Sequence, residues 1–573
     1  MKEYSNLNMA GAEEALFKAA QRWFIQHGYD LDKVKNNHLF ALEFKNRKDL
    51  PEGGFDISGT DTGAMISASS LSGQFAALGQ FLRGCMISEN GFIPPKPSGV
   101  SLPEKPVRMT YFAVHFHNFY HDAPLVKVAE YIYDLAMYGY NALLLRFDYS
   151  HYQSIDDQEA LKMISRLKKL FNIAEHCGME PGLMIIANEG YKSTPDHLKA
   201  DGRYNQNGYF TRLRGWRDIL VCPSVPCGTE YILNLHEQQF KIFSGIKLKY
   251  IAIWAYNYGG CTCSNCAPWG AKGYLNLINP IADQALKYFK DVKIILSTYH
   301  FDAFIHGEWE QFKNKMNKKD IQADYIIVEP GVPEMDENPE KVSAKRREIA
   351  GLPVLGFPEI CMRGMRPWGG FGANPMPTYL QQLWSKHGEQ MDGGLPYSEG
   401  IFDDINKFIL SRLYWYGAYD VRKAVLEYAY SFFSPDLAED ICEAIYDMEE
   451  TLFRKRFKLD ADENLIPASK DIKGGFNVPT GPVKFIIENP DKIEKIYRNM
   501  LRIDSELSPS TAKTWRWRIL LLRAMNDYGL LKNNWYVTDE ILENLYELRR
   551  IYEAENAEYK LDPPIRNFVK QPL

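Results

Sequence analysis

The chain has 573 residues, of which 45% are hydrophobic and 24% charged, a composition typical of a soluble globular protein with several domains. Its formal net charge of -6 offers no basic field for nucleic acid and no polybasic patch for a membrane surface, so neither is expected as a partner. No segment approaches the ~20 consecutive apolar residues of a membrane-spanning helix. The nine cysteines, an odd number, do not suggest a disulfide framework and favour a cytoplasmic location, or a secreted or periplasmic one if a signal peptide has been removed.

Residues 1–104 predict a small α/β domain. A helical opening is followed by the short strand patterns HLFALEF, GFDISG and GAMISASS, and then by the amphipathic segment GQFAALGQFLRGC. The proline-rich stretch IPPKPSGVSLPEKP favours an extended linker, because proline interrupts helices. A second domain is therefore expected to begin close to residue 105.

Residues 105–407 alternate short apolar runs with helical periods, which is typical of βα units on a parallel sheet. Eight candidate strands can be counted: MTYFAVHFHN, NALLLRFD, EPGLMIIANEG, KYIAIWAYN, KIILSTYHFD, ADYIIVEPG, LPVLGFPEI and GGLPYSEG. Eight such units over this length predict a closed (β/α)8 TIM barrel. An open doubly wound sheet is the alternative, but no glycine-rich phosphate turn follows the first strand.

Residues 408–573 predict an all-helical C-terminal domain. Strand patterns disappear, and long amphipathic stretches take their place, such as DINKFILSRLYWYG, LAEDICEAIYDMEETLFRKRF and KTWRWRILLLRAMNDYGLL. These helices offer a surface on which a homodimer could form.

Polar residues follow nearly every predicted strand, at the end where a barrel of this type carries its active site. In chain order they are His115, His117, Asn118, Asp148, Asn188, Glu189, Trp254, Asn257, His300, Asp302, Glu329, Glu359 and Glu399. Two carboxylates beside an aromatic mouth are what cleavage of a glycosidic bond requires, one as a protonated acid and the other as a base or nucleophile. The pattern therefore indicates an enzyme that acts on an oligosaccharide.

Glu359, in GFPEICM, and Glu399, in YSEGIF, are the predicted catalytic pair. Both follow apolar or aromatic strand residues, and glutamate is a poor helix cap. Glu189, in ANEGY, is the third catalytic candidate. Asp148 is a candidate for substrate binding, with the N-cap of the following helix as its structural alternative.

The remaining candidates are expected to bind the sugar. His115 and His117 share one face of the first strand, and sugar contact, core packing and metal binding all remain open for them. Trp368, in the glycine-rich loop GMRPWGGFGANP, can present an aromatic platform or pack on the barrel rim. The substrate-binding candidates are His115, His117, Asn118, Asp148, Trp254, Asn257 and Trp368. No cofactor and no catalytic metal are expected.

Three cysteines, Cys261, Cys263 and Cys266, form a CxCxxC motif after the fourth predicted strand. This spacing suits zinc, with Cys222 or Cys227 as a fourth ligand. Ordinary loop packing and a disulfide are the alternatives. A redox pair is disfavoured, because Pro268 lies two residues after the last cysteine of the motif, where a helix would have to start.

Several segments resemble glycoside hydrolases of the group that includes the family 20 β-hexosaminidases and the α-glucuronidases. They are GFDISGTDTGAMISASSLSGQFAALGQFLRG in the first domain and YFAVHFHNFYHDAP, EYIYDLAMYGYNALLLRFD, GGCTCSNCAPWGAKGY, PEICMRGMRPWGGFGANPMP and YSEGIFDDINK in the barrel. The resemblance covers most of residues 50–410. It implies a non-catalytic α/β domain, a catalytic barrel and O-glycosyl hydrolase activity.

The sequence departs from family 20 at the end of the fourth strand. Family 20 enzymes carry an adjacent Asp-Glu pair there, and the matching positions are Asn257 and Tyr258. Acetamide-assisted cleavage of N-acetylhexosaminides is therefore a secondary hypothesis beside the predicted glycosidase. Two further hypotheses are a non-catalytic carbohydrate-binding barrel and a metal-dependent hydrolase or lyase that uses His115 and His117.

Overall fold

A computed structural model describes residues 2–31, 38–88, 90–113, 119–200, 219–256, 259–299, 301, 307–318, 321–328, 351–361, 372–451, 455–459, 465–467, 483–486, 489–533 and 538–553.

The N-terminal region is a five-stranded sheet with two long helices. The sheet has the order β1-β2-β4-β3-β7 and consists of β1 (Asn6–Ala10), β2 (Leu39–Asn46), β3 (Phe55–Gly59), β4 (Gly63–Ala68) and β7 (Gly99–Ser101). The helices are α1 (Glu14–Gln26) and α2 (Leu71–Arg83), and β5 (Met86–Ile87) pairs with β6 (Phe92–Ile93). The small α/β domain predicted from the sequence is confirmed.

Eight parallel strands close into a barrel. They are β8 (Val107–Phe112), β9 (Ala142–Arg146), β10 (Glu180–Ile186), β11 (Tyr250–Trp254), β12 (Lys293–Ser297), β13 (Tyr325–Val328), β14 (Val354–Gly356) and β15 (Gly393–Gly394). β15 pairs with β8 and closes the barrel, and β16 (Tyr397–Ser398) continues the eighth strand along β8. Each of the eight predicted segments provides one strand, so the TIM-barrel prediction is confirmed.

The closure of the barrel explains the GlyGly pair at its eighth strand. A Cβ atom on Gly393 would lie 2.0 Å from the carbonyl oxygen of Val107, which no side chain tolerates. Glycine therefore allows the two backbones to approach and pair.

The barrel interior has its own apolar core. Alternate residues of β8, namely Val107, Met109 and Tyr111, point inward together with Leu144 and Met184 of the next two strands. This alternation follows from the two-residue period of a strand, and it places the side chains of one face in the barrel and those of the other face under the helices.

Helices surround the barrel between its strands. They are α3 (Phe119–Asp122), α4 (Leu125–Tyr138), α5 (Gln158–His176), α6 (Gly228–Phe243), α7 (Gly273–Tyr288), α8 (Glu308–Met316), α9 (Pro377–His387) and α10 (Asp404–Tyr416). α10 follows the eighth strand, and the domain boundary expected between residues 407 and 408 falls inside it. Among these described helices, none combines the length and the apolar character needed to cross a membrane.

The C-terminal region is mainly helical, as predicted, but it also contains a small sheet. Its helices are α11 (Val421–Phe432), α12 (Ala438–Glu450), α13 (Pro490–Glu506), α14 (Pro509–Ala512), α15 (Trp515–Lys532) and α16 (Asp539–Glu553). Between α12 and α13, β17 (Lys455–Leu459) pairs antiparallel with β18 (Leu465–Pro467) and β19 (Val483–Ile486). Sequence analysis missed this sheet because each strand is too short for its alternation to be distinguished from a helical period.

A buried ion-pair network joins the three regions. Arg516 of α15 donates to Asp404 of α10 at 2.8 Å and to Asp134 of α4 at 2.7 Å. Arg22 of α1 also contacts Asp134. Removing one partner of a buried pair leaves an uncompensated charge, which costs about 3–5 kcal/mol. The network therefore fixes the flanking regions against the barrel helices.

Candidate active site

Four aromatic side chains form the base of the site inside the barrel. Trp254 ends β11, and its ring lies 5.2 Å from Phe357 and 6.2 Å from Tyr111, measured between ring centroids. Tyr397 completes the group at 5.9 Å from Phe357. We refer to Tyr111, Trp254, Phe357 and Tyr397 as the aromatic floor. Trp254 thus lies at a strand end on the interior face, as expected, and its contact with a sugar stays a prediction.

Glu399 follows β16 at the edge of the aromatic floor and is 5% exposed. Its Oε1 accepts a hydrogen bond of 2.5 Å from the hydroxyl of Tyr397, and its backbone oxygen accepts one of 2.9 Å from Tyr552 of α16. Burial raises the pKa of Glu399 to about 8, with added repulsion from Glu359 and Asp403, although the Tyr397 hydrogen bond opposes the rise. This shift favours the protonated form of Glu399 at neutral pH.

A buried lysine supports the backbone next to Glu399. Lys407 of α10 donates to the carbonyl oxygen of Gly400 at 2.6 Å, forms an ion pair of 2.6 Å with Asp403, and donates to the hydroxyls of Tyr120 and Tyr131. Burial raises the pKa of Asp403 to about 6, although Lys407 lowers it. The loop that carries the acid is thus held by a charged, fully buried contact.

Glu359 is the second carboxylate of the predicted pair. It follows β14 and forms an isolated parallel β-bridge with Tyr397. Tyr397 lies two positions before Glu399 in the chain, so the bridge brings the two glutamates to neighbouring strand ends. Its Oε1 accepts a hydrogen bond of 2.8 Å from the backbone N–H of Cys361, and the residue is only partly buried. Burial raises the pKa of the Cys361 thiol, and repulsion from Glu359, Glu399 and Asp403 adds to the effect. The structure thus brings the two glutamates together around a neutral thiol.

Glu189 and Asp148 meet at a buried arginine. Nη2 of Arg146 donates to Oε1 of Glu189 at 2.7 Å and lies 3.5 Å from Oδ1 of Asp148. Burial opposes the charge of Arg146, but Asp148 and Glu189 outweigh it and raise the pKa of the guanidinium. Asp148 also accepts the backbone N–H of Ser150 at 3.0 Å and so caps the short helix Tyr149–His151. The capping role that the sequence allows for Asp148 is therefore observed.

Sequence analysis missed Arg146. The signal was present, because Ala142, Leu144 and Arg146 alternate along β9, and the first two lie in the barrel core. An arginine in this register is directed toward the interior. Its Nε and Nη1 are buried and have no hydrogen-bond partner in the described part of the chain.

Asn188 joins the loops that follow β10 and β11. Its Nδ2 donates to the carbonyl oxygens of Val221 and Gly260, both at 2.9 Å, and its Oδ1 accepts the N–H of Gly260 at 2.9 Å. All the polar atoms of this side chain are thus used inside the protein. Asn188 positions the loops beside Glu189 rather than facing a substrate.

The two loops that Asn188 joins also bring four thiols together. The Sγ atoms of Cys222, Cys261, Cys263 and Cys266 all lie within 4.8 Å of one another. Cys227, the other candidate for a fourth position beside the CxCxxC motif, is exposed and does not belong to this group.

Several predicted site residues lie outside the described residues. They are His115, His117, Asn118, Asn257 and Trp368, together with Tyr258, His300, Asp302 and Glu329. Their roles stay predictions.

No protein-family model matches the chain, and no curated protein does either. Several solved structures are similar to the chain. The family 89 protein CpGH89 from Clostridium perfringens, in complex with GlcNAc-α-1,4-galactose, has a TM-score of 0.57 at 14% identity over 94% of this chain and 65% of that one. A GH138 enzyme targeting pectin rhamnogalacturonan II has a TM-score of 0.55 at 12% identity over 96% and 71%.

A third structure, CpGH84B, has a TM-score of 0.52 at 10% identity over 96% of this chain and 92% of that one. Family 20 β-N-acetylhexosaminidases, named by the sequence resemblance, also match, with a TM-score of 0.48 for the Streptomyces coelicolor enzyme. The three structures with TM-scores of 0.52 to 0.57 show that the chain shares the fold of barrel glycoside hydrolases.

Proposed function

We propose that the protein is a glycoside hydrolase in which Glu399 protonates the leaving oxygen and Glu359 acts as the base or nucleophile. The observation that carries this proposal is the contrast between the two carboxyl groups. Glu399 is buried and has a pKa raised to about 8, while its neighbour Glu359 is partly exposed. Two neighbouring carboxyl groups in unlike environments are the arrangement that acid-base cleavage of a glycosidic bond needs.

The surroundings of Glu399 suit a proton donor. The hydroxyl of Tyr397 donates a hydrogen bond to Oε1 of Glu399 and so fixes the orientation of the carboxyl group. Oε2 can then carry the proton. Burial keeps the proton in place at neutral pH, where a carboxylic acid in water would have lost it. The acid is therefore ready before a substrate binds.

Glu189 is less suited to donate a proton, because it is already engaged by Arg146. Nε and Nη1 of Arg146 have no hydrogen-bond partner in the described part of the chain, and a sugar hydroxyl or a water molecule can accept from them. We assign the Arg146–Glu189 pair to substrate positioning.

The aromatic floor is compatible with a sugar as the substrate, because apolar sugar faces stack on flat aromatic side chains, and Tyr397, at 8% exposed, is its most accessible ring. The sugar itself is a matter for experiment. Two of the structural relatives differ in the glycan they recognise, one binding GlcNAc-α-1,4-galactose and the other targeting pectin rhamnogalacturonan II.

A screen of chromogenic glycosides and of plant and host glycans tests the proposal. Wild-type protein is expected to release sugar from at least one substrate. On glycans and on glycosides with weakly acidic leaving groups, Glu359→Gln and Glu399→Gln should each lower turnover by roughly 100-fold or more, which is the usual contribution of acid-base groups. Glu159→Gln, at an exposed site on α5, is the matched control and should retain full turnover.

Two outcomes would overturn the proposal. Wild-type turnover of glycans, or of glycosides with weakly acidic leaving groups, in either variant would remove that glutamate from the mechanism. Tight glycan binding without any released sugar would favour a non-catalytic carbohydrate-binding barrel.

A further inference from the structure

Four sulfur atoms meet at one point beside the barrel mouth. We call Cys222, Cys261, Cys263 and Cys266 the four-cysteine cluster. Cys222 comes from the loop after β10, and the other three come from the loop after β11. Three of the four residues are buried, and Cys263 is partly exposed.

The spacing of the sulfur atoms fits a single tetrahedral ion. A zinc–sulfur bond of about 2.3 Å places the corners of a tetrahedron about 3.8 Å apart. The Sγ of Cys222 lies 3.8 Å from that of Cys263 and 3.9 Å from that of Cys266. Sulfur atoms in a disulfide are only about 2.05 Å apart, so these distances do not describe a bonded pair.

The donor set also selects the metal. Four thiolates in a tetrahedral arrangement favour zinc or a single iron over hard ions such as magnesium or calcium. No open position remains for water, which is typical of structural zinc and not of catalytic zinc.

A hydroxyl group supports the cluster from outside. Oγ of Ser224 lies 3.1 Å from the sulfur of Cys222, 3.2 Å from that of Cys263 and 3.3 Å from that of Cys266. A serine in this position can donate a hydrogen bond to a thiolate and so stabilise its charge.

We propose that the four-cysteine cluster binds one zinc ion that holds the loops after β10 and β11 together. The ion displaces the thiol protons on binding, so affinity should fall at low pH. The cluster adjoins the Asn188 contacts: Asn188 bonds Val221, next to Cys222, and Gly260, next to Cys261. Zinc and Asn188 would therefore fix the same two loops. Glu189 is the next residue after Asn188 in the chain, so the site lies close to this fixed point. This proposal does not depend on the catalytic activity.

Metal analysis of the full-length protein, purified without chelators, is the first test. Wild-type protein should contain roughly one zinc ion per chain, the stoichiometry of a structural site. Cys263→Ser and Cys261→Ser should lose it, and Ser224→Ala should weaken zinc affinity by roughly 10- to 100-fold. Cys227→Ser is the matched control, because Cys227 is exposed, lies in the same loop as Cys222 and is not a ligand.

Thiol mapping keeps the proposal testable if the cysteine variants do not fold. In folded wild-type protein, alkylation followed by peptide mass spectrometry should modify the exposed Cys227 but not the partly exposed Cys263. Treatment with a chelator should make Cys263 reactive and leave the reactivity of Cys227 unchanged. Hydrogen exchange should then rise first in residues 219–228 and 259–266.

Four results would overturn the assignment: wild-type protein without bound zinc, iron at the site in place of zinc, a disulfide between cluster members, or loss of zinc in Cys227→Ser. Loss of glycosidase activity alone bears on the proposed function and leaves the zinc proposal intact.

Discussion

Replacing Glu399 with Gln tests whether this carboxyl group is held in its neutral form. Glutamine has nearly the same shape and can still accept the hydrogen bond from the Tyr397 hydroxyl. It cannot ionise. The variant should therefore lose the proton donor while keeping the packing beside the aromatic floor.

The expected effect on stability follows from the pKa difference between the folded and unfolded states. Between the ordinary value of 4.5 and the folded value of about 8, the folded wild-type protein keeps a proton that the unfolded chain has released. This contribution to stability is fully present below the ordinary pKa and is lost as pH rises toward the folded pKa. At about 1.4 kcal/mol for each pH unit, its upper limit is about 5 kcal/mol. Glu399→Gln lacks the contribution.

Urea titrations followed by tryptophan fluorescence, at pH values from about 5 to about 9, measure the effect. The free energy of unfolding of Glu399→Gln minus that of the wild type should rise with pH over this range, because the titration of groups that do not interact with Glu399 cancels in the difference. A difference that stays constant would show that Glu399 ionises normally. A difference that falls with pH would mean that the folded protein stabilises the charged form, contrary to the role of an acid.

Two further substitutions test the surroundings of Glu399. Tyr397→Phe removes the hydrogen bond that lowers the pKa of Glu399. The alkaline limb of the pH profile of kcat/KM should therefore move to higher pH. An unchanged limb would mean that Tyr397 does not influence the pKa of the catalytic acid. Lys407→Met leaves Asp403 buried without its cation and should cost about 3–5 kcal/mol in the free energy of unfolding. Adding Asp403→Asn should recover much of this loss, and full additivity of the two changes in urea titrations would contradict a coupled pair.

The barrel could be predicted from the sequence because its signals are local. Apolar runs, such as ALLLR in β9 and YIAIW in β11, identify central strands of a parallel sheet, and helical periods between them identify crossover helices. The positions of Glu359 and Glu399 also follow from local order, since each comes directly after a strand. The barrel rule then places them at one end of the molecule.

The support of the site could not be predicted, because it depends on residues that are distant in the chain. The contact between Tyr552 and the backbone of Glu399 spans 153 positions, and that between Lys407 and Tyr120 spans 287. Likewise, Cys222 and not Cys227 joins the CxCxxC motif because of how two loops fold, although spacing alone allows either. The raised pKa of Glu399 also arises from this assembled environment, since burial is its main cause.

The dependence of kcat/KM on the acidity of the leaving group tests most directly whether Glu399 is the acid and Glu359 the base or nucleophile. It requires aryl glycosides of the sugar found by the screen, with leaving groups that range from strongly acidic to weakly acidic phenols. An acidic phenol departs without protonation, whereas a weakly acidic one needs the proton donor.

Glu399→Gln should therefore retain much of the wild-type kcat/KM toward the most acidic leaving groups. Toward the least acidic ones, its kcat/KM should fall by roughly 100-fold or more. Glu359→Gln should lose activity toward all of them. Equal losses of Glu399→Gln across the series, wild-type rates of Glu399→Gln toward the least acidic leaving groups, or wild-type rates of Glu359→Gln toward any of them would contradict the assignment of Glu399 as the acid and Glu359 as its partner.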